Sequence, residues 1–192
     1  MDARARQGRG GGMTRSICLH GPESTGKSTM AAQLAAHFAA PLVPEYGRTY
    51  CEANGTDLSM DDLLAIARTH DAITREMRAH AGDWLIVDTD PLMTAVWADM
   101  LFGRRDPWFD AWDDTADLYL LLDIDLPWIE DGTRLFGAPA DRRRFLDLSR
   151  AELERRGLPW AWVRGTGEAR LAQALAAIAR LTGAPVRPVT AD

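Results

Sequence analysis

The sequence predicts an α/β fold in which a five-stranded parallel sheet carries helices on both faces. Five apolar runs of strand length alternate along the chain with segments of helical period, which is typical of parallel sheets. A glycine-rich loop joins the first run to the first helix, the position at which such folds bind anions. The length of 192 residues fits one domain with a substantial core.

The first strand, loop and helix contain the most specific motif of the chain. Residues 16–20 are short and apolar, as expected of a buried strand, and residues 27–39 form an Ala-rich helix that ends before Pro41. Residues 21–28, Gly-Pro-Glu-Ser-Thr-Gly-Lys-Ser, match the phosphate-binding pattern G-x-x-x-x-G-K-[ST] without a mismatch. The motif therefore predicts ATP and Mg²⁺ as cofactors.

In such a loop, backbone N–H groups and the positive end of the helix dipole surround a phosphate. Lys27 would reach the β- and γ-phosphates, and the Ser28 hydroxyl would ligate Mg²⁺. The residues expected to contact the nucleotide are Gly21, Glu23, Ser24, Thr25, Gly26, Lys27, Ser28 and Thr29.

A second strand and a long helix follow. Residues 41–44 are apolar and bounded by prolines, which predicts an edge strand with Glu45 at its carboxyl end. Ser59 and Asp62 match a capping box, and a helical stripe of apolar residues continues from there to about residue 77. His70 lies on this stripe and is interpreted as a packed or hydrogen-bonded histidine instead of a metal ligand, because no histidine or cysteine stands at metal-binding spacing from it.

The second half of the chain continues the alternation. A third strand ends in Asp88 and is followed at once by Asp90 and Pro91. The elements predicted here are strands over residues 84–88, 117–123 and 160–163, and helices over residues 91–102, 108–114, 145–156 and 168–181. Residues 15–183 are predicted to form one folded domain, with a disordered tail at residues 1–14 and a loose tail at residues 184–192.

A charged segment, residues 127–144, separates the fourth strand from the next helix. Two arginine groups flank a hinge at Gly137 and Pro139. We expect Arg134 and Arg142 to belong to an Arg-rich lid whose guanidinium groups neutralise charge on a transferring phosphate.

In a parallel sheet, functional side chains gather at the carboxyl ends of the strands. Asp88 is therefore the expected partner of Ser28 in the Mg²⁺ shell. Asp90 and Glu45 compete as the base or as the group that binds the substrate hydroxyl, with Asp90 slightly favoured. Near strand ends, three aromatic side chains could stack on a flat ring, and acidic surroundings would favour a cationic one: Tyr46, Trp97 and Trp128.

Composition excludes several classes of protein. The formal net charge is −6, so a surface that binds nucleic acid is not expected. No apolar run reaches about 18 residues and no secretory signal is visible, so we expect no membrane segment and a cytoplasmic protein. The two cysteines indicate neither a disulfide framework nor a metal cluster.

Taken together and in order, these motifs resemble the ribosylnicotinamide kinase domain of the bifunctional bacterial NAD-biosynthesis regulators. The resemblance covers residues 15–182 and is carried by GPESTGKS at residues 21–28, PEYGR at 44–48, VDTD at 87–90 and PWIEDGTR at 127–134, with Asp141, Arg142 and Phe145.

The resemblance implies a P-loop kinase that transfers the γ-phosphate of ATP to the 5′-hydroxyl of nicotinamide riboside. It implies the kinase part alone, without the regulatory or adenylyl-transferring parts of that family. The residues then assigned to catalysis are Lys27, Asp90, Glu45 and Arg134, and those assigned to the acceptor are Glu45, Tyr46, Arg48, Asp90, Trp97 and Trp128. Arg142 would contact the nucleotide.

The residues alone leave other functions open. A kinase for another nucleoside or small metabolite would share the fold and the phosphate chemistry. A regulatory ATPase would use the same loop and hydrolyse ATP without an acceptor. In a nucleotide-binding module without turnover, Asp88 and Asp90 at the strand end would have no function. The sequence does not indicate an oligomeric state.

Overall fold

The computed structural model describes residues 13–183, so the predictions made for residues 1–12 and 184–192 lie outside it. Its five strands form one parallel sheet in the order β2-β3-β1-β4-β5, which confirms the predicted fold class. The strands are β1 (Arg15–His20), β2 (Leu42–Val43), β3 (Trp84–Asp88), β4 (Leu118–Leu122) and β5 (Trp160–Val163). The two-residue β2 lies at the edge, as its flanking prolines predict.

Helices cover both faces of the sheet. They are α1 (Lys27–Phe38), α2 (Tyr46–Asn54), α3 (Met60–His80), α4 (Pro91–Phe102), α5 (Pro107–Ala111), α6 (Pro139–Arg155) and α7 (Gly167–Thr182). Alternate residues of the central strands divide between two cores: Ile17 and Leu19 pack with α1 and α7, and Cys18 packs with α4 and α6. This two-sided burial is the reason the strands are continuously apolar.

Local signals explain where several helices begin. Ser59 and Asp62 form the predicted capping box at the start of α3. The carboxylate of Asp90 accepts a hydrogen bond from the backbone N–H of Leu92, and Pro91 occupies the first turn of α4. The chain therefore turns into α4 directly after β3.

Three helices differ clearly from the prediction: α2, α5 and α6. The sequence analysis assigned no helix to residues 46–54, yet α2 forms there because its apolar side chains pack against α3. The helix predicted from residue 145 begins at Pro139, so Arg142 lies on α6 instead of in a loop. Pro139 opens that helix and does not act as a hinge, because proline is well tolerated in a first turn. The short helix α5 ends at Ala111, earlier than expected.

None of the helices between residues 13 and 183 combines the length and the hydrophobicity needed to span a membrane.

Candidate active site

The phosphate loop lies between β1 and α1, in the predicted strand, loop and helix context. Gly21 has φ 125°, and a Cβ atom at this position would lie 2.7 Å from the carbonyl oxygen of Leu122. A side chain is therefore excluded where the loop leaves the sheet. The ammonium group of Lys27 donates a hydrogen bond of 2.8 Å to the carbonyl oxygen of Pro22, so it is held directly over the loop.

A buried arginine that sequence reasoning missed supports this loop from behind. Arg170 on α7 is 4% exposed. Its guanidinium donates to the carbonyl oxygens of Thr25 (2.9 Å) and Gly165 (2.7 Å) and pairs with Asp125. The sequence signal was an arginine in the first turn of the last helix, which is also compatible with an exposed position.

The segment of residues 123–138, which we name the lid segment, lies against the phosphate loop. The carboxylate of Glu23 accepts hydrogen bonds from the backbone N–H groups of Leu135 (3.1 Å) and Phe136 (3.4 Å). The hydroxyl of Ser24 accepts one from the N–H of Ile129 (2.9 Å) and donates to the carbonyl of Pro127 (3.2 Å). Two side chains of the loop thus hold the segment that follows β4.

The arginines divide into two groups. Arg48 and Arg134 line the main cavity, and the carboxylate of Asp131 pairs with both, at 2.9 Å and 3.2 Å. Arg142 is buried outside the cavity lining, where it donates to the carbonyl of Leu126 (3.0 Å) and lies 5.9 Å from the ring of Trp128. In this arrangement Arg142 holds the lid segment through Leu126 and Trp128 and reaches the carbonyl of Ser24 in the phosphate loop (3.5 Å). The contacts of Arg142 with the nucleotide and of Trp128 with the acceptor stay predictions.

The main cavity extends from the phosphate loop to the helices α2, α3 and α4. The end next to the loop is lined by Lys27, Ser28, Arg48 and Arg134. The far end is mostly apolar and is lined by Leu58, Leu63, Ile66, His70, Met93 and Trp97. Trp97 thus lines the cavity, and its stacking on an acceptor ring stays a prediction. Tyr46 instead packs beside Tyr50, with ring centroids 6.4 Å apart, and is not part of the lining.

Glu45 lines the cavity between its two ends. It is half-buried at the carboxyl end of β2, where burial raises the pKa of its carboxyl group and the nearby charge of Lys27 opposes that rise. Arg48 and Arg134 act on Glu45 in the same direction as Lys27. A carboxylate with a raised pKa beside an anion-binding loop is suited to accept a proton from a substrate.

Asp88 lies behind the loop at the end of β3, next to Lys27 and Ser28, and is 3% exposed. Burial raises its pKa, while Lys27 and a hydrogen bond with Ser28 lower it. Its Oδ1 atom is buried and has no hydrogen-bond partner among residues 13–183. Buried carboxylate oxygens are normally paired, so this oxygen and the Ser28 hydroxyl fit a cation that takes its other ligands from phosphate and water, as Mg²⁺ does.

The described part of the chain holds no cluster of three or more histidine, cysteine or acidic residues arranged for a metal ion. A site that draws its remaining ligands from a nucleotide does not require one.

Asp90 is placed differently from the expectation that slightly favoured it as the base. Its Oδ2 accepts a hydrogen bond of 2.5 Å from the hydroxyl of Tyr119, and its Oδ1 accepts one of 2.9 Å from the N–H of Leu92. Burial raises the pKa of Asp90 to about 6. The cavity that Asp90 borders measures about 10 Å³, which is room for one water molecule at most. Glu45 therefore lines the main cavity, and Asp90 does not.

Thr89 separates the two aspartates and has φ 70°. This left-handed conformation is unusual for a β-branched residue and costs about 1–3 kcal/mol. The side chains on either side of Thr89 have different surroundings. Asp88 lies beside the phosphate loop, and Asp90 hydrogen-bonds Tyr119 in the protein interior. Thr89 itself lines the main cavity.

Comparisons with known proteins show similarity in sequence and in fold. The model of the AAA domain family matches residues 16–170. The chain is 32% identical over 155 residues to the trifunctional NAD biosynthesis/regulator protein NadR of Escherichia coli (strain K12), a match that covers 78% of this chain and 38% of that protein. It thus spans little more than a third of the length of this relative.

Two crystal structures of a NadR protein, one in complex with NR and one with NAD and AMP-PNP, have similar folds. Each is 26% identical and covers 93% of this chain; the TM-scores are 0.76 and 0.73, and this chain spans 54% and 52% of those chains. The likeness to the bacterial NAD-biosynthesis regulators noted in the sequence is thereby confirmed. Because the family match extends over most of its length, the chain belongs to the AAA domain family of P-loop proteins.

Proposed function

We propose that the protein is a kinase that transfers the γ-phosphoryl group of ATP to the 5′-hydroxyl of nicotinamide riboside and forms nicotinamide mononucleotide. The observation that carries the proposal is the continuous cavity, which joins Lys27 at the phosphate loop to Glu45 and then to an apolar end containing Trp97. Such a cavity accommodates two substrates end to end. The NR-bound NadR structure supports the choice of acceptor.

The nucleotide would occupy the loop end. The N–H groups of the phosphate loop and the ammonium group of Lys27 would bind its phosphates, after Lys27 exchanges the carbonyl of Pro22 for a phosphate oxygen. Ser28 and Asp88 would hold Mg²⁺, which when bound neutralises charge on the β- and γ-phosphates.

Glu45 would act on the acceptor. Its carboxylate accepts the proton of the 5′-hydroxyl as the oxygen attacks the γ-phosphorus, while the bond to the β,γ-bridging oxygen breaks and ADP leaves. Arg134 and Arg48, which also line the cavity, would stabilise the negative charge of the moving phosphoryl group.

The charge of the acceptor supports the same assignment. Nicotinamide riboside carries a cationic pyridinium ring, and the carboxylate of Glu45 lies between the two ends of the cavity. Trp97 offers an aromatic face at the apolar end, where a cationic ring gains from a cation–π contact.

The test is ADP release from Mg·ATP by the purified protein, measured with nicotinamide riboside, with a panel of ordinary nucleosides and without acceptor. We expect stimulation by nicotinamide riboside above every other acceptor. Stimulation by a different nucleoside would retain the kinase mechanism and reject the assigned substrate. Release that is independent of the acceptor would reject the kinase in favour of an ATPase.

A further inference from the structure

His70 is a buried polar side chain to which the proposed phosphoryl transfer assigns no role. It lies on α3, lines the main cavity and is 2% exposed. Its Nε2 atom is buried and makes no hydrogen bond within residues 13–183. The large majority of buried side-chain polar atoms in proteins are paired, so an unpaired nitrogen on a residue that lines a cavity indicates a position where a ligand supplies the partner.

The surroundings of His70 indicate the kind of ligand. Ile66 and Leu63 lie one and two turns earlier on α3, and Met93 and Trp97 of α4 line the same end of the cavity. Apolar and aromatic walls of this kind bind the faces of a flat ring. An unpaired ring nitrogen on a residue of that wall is available for a polar substituent at the ring edge.

The imidazole of His70 is suited to a cationic ring with a neutral substituent. Burial lowers the pKa of His70 to about 4, so the side chain is uncharged near neutral pH and does not repel a pyridinium ion. Neutral imidazole presents either an N–H donor or an acceptor at Nε2, depending on the tautomer. A carboxamide has both donor and acceptor groups and can pair with either form.

We propose that Nε2 of His70 hydrogen-bonds the carboxamide group of the acceptor ring, which makes His70 a residue that determines specificity. This inference rests on the proposed function and adds to it the selection of a carboxamide-bearing pyridinium riboside over one with an unsubstituted ring. His70 does not take part in the transfer step itself.

The experiment compares two acceptors, nicotinamide riboside and the riboside of unsubstituted pyridine, in four proteins. These are the wild type, His70→Phe, His70→Gln and the matched control His80→Phe, which makes the same change at an exposed position of the same helix. In His70→Phe we expect kcat/KM for nicotinamide riboside to fall about tenfold or more, through KM, with little change for pyridine riboside. His70→Gln should recover part of the loss, and His80→Phe should behave as wild type.

Equal losses with both acceptors in His70→Phe would show a structural role and overturn the inference. Failure of the wild type to phosphorylate either riboside would instead reject the proposed function, and this inference with it. A measurement on the wild-type protein covers the case in which the variants do not fold. The ¹⁵N resonance of His70 Nε2 should shift on addition of nicotinamide riboside and not of pyridine riboside, whereas identical spectra with both ligands would overturn the hydrogen bond.

Discussion

Asp88 and Asp90 lie two residues apart and are both buried, yet their carboxylates differ in their hydrogen-bond partners. Asp88 stays beside Lys27 and Ser28 with an unpaired Oδ1. Asp90 has both oxygens occupied, by the hydroxyl of Tyr119 and by the N–H of Leu92. Burial and acidity alone therefore do not predict which carboxylate is free to bind a ligand. Hydrogen-bonding capacity that remains free near the cavity is the more useful criterion.

Glu45, which follows the neighbouring strand β2, is the third carboxylate to compare with Asp88 and Asp90. It lines the main cavity between the phosphate loop and the apolar end, whereas Asp90 borders a space of about 10 Å³. The proposed function therefore predicts a graded series of effects among the cavity residues and a weak effect at Asp90.

Lys27→Ala should have the largest effect. Removing the ammonium group takes away the cation assigned to the β- and γ-phosphates, so we expect kcat for acceptor phosphorylation to fall about a thousandfold. Initial rates of ADP release measure the change, and near-ultraviolet circular dichroism checks that the variant is folded. A folded variant with the wild-type rate would contradict the assignment of the phosphate loop.

Glu45→Gln should come next. The amide preserves the shape of the side chain but cannot accept the proton of the hydroxyl, so we expect kcat to fall about a hundredfold or more while ATP affinity changes little. ATP binding is measured by calorimetry in parallel with turnover. Loss of ATP affinity with unchanged kcat would assign Glu45 to the nucleotide instead.

Asp88→Asn should lower turnover by about tenfold to a hundredfold, and the deficit should shrink as the Mg²⁺ concentration is raised. The physical reason is that an uncharged amide binds Mg²⁺ more weakly than a carboxylate does. The measurement is a Mg²⁺ titration of the rate at saturating ATP. A Mg²⁺ dependence identical to that of wild type would place the metal elsewhere.

Asp90→Asn should have the smallest effect on turnover, less than about threefold, because the amide oxygen of asparagine can still cap α4 while its amide nitrogen faces the Tyr119 hydroxyl, which can accept a hydrogen bond from it. Its effect should instead be on stability. The pKa of Asp90 is raised from its ordinary 3.8 to about 6, so the folded state binds more protons than the unfolded state between these values. Asp90 therefore contributes stability below pH 4 that is lost as the pH rises to about 6, by up to about 3 kcal/mol.

Urea unfolding at pH 4 and pH 7 measures this contribution. The difference in unfolding free energy between Asp90→Asn and wild type should move in favour of the variant as the pH rises. A turnover loss as large as that of Glu45→Gln would instead restore Asp90 as the base and contradict the comparison.

Much of the fold could be predicted because its signals are local. The pattern at residues 21–28, the alternation of apolar runs and the capping box at Ser59 each depend on neighbouring residues. The helix α2 could not be predicted in the same way, since its stability comes from packing against α3. The start of α6 at Pro139 was hidden by the charge of the segment that leads into it.

The site was less predictable because its roles depend on distant partners. The hydroxyl of Tyr119, 29 positions further along the chain, donates a hydrogen bond to the carboxylate of Asp90. Arg170 on the last helix donates one to the phosphate loop. His70 was correctly expected to be buried, but a sequence does not reveal that one of its ring nitrogens lacks a partner. Packing determines each of these roles, and a motif search does not detect it.

The most direct test of the proposed function follows the γ-phosphoryl group itself. ATP labelled at the γ-phosphate is incubated with the protein, Mg²⁺ and nicotinamide riboside, and the labelled products are separated. We predict that the label appears as a phosphate ester of nicotinamide riboside in an amount equal to the ADP formed. Label recovered only as inorganic phosphate, at the same rate with and without the riboside, would contradict the proposal.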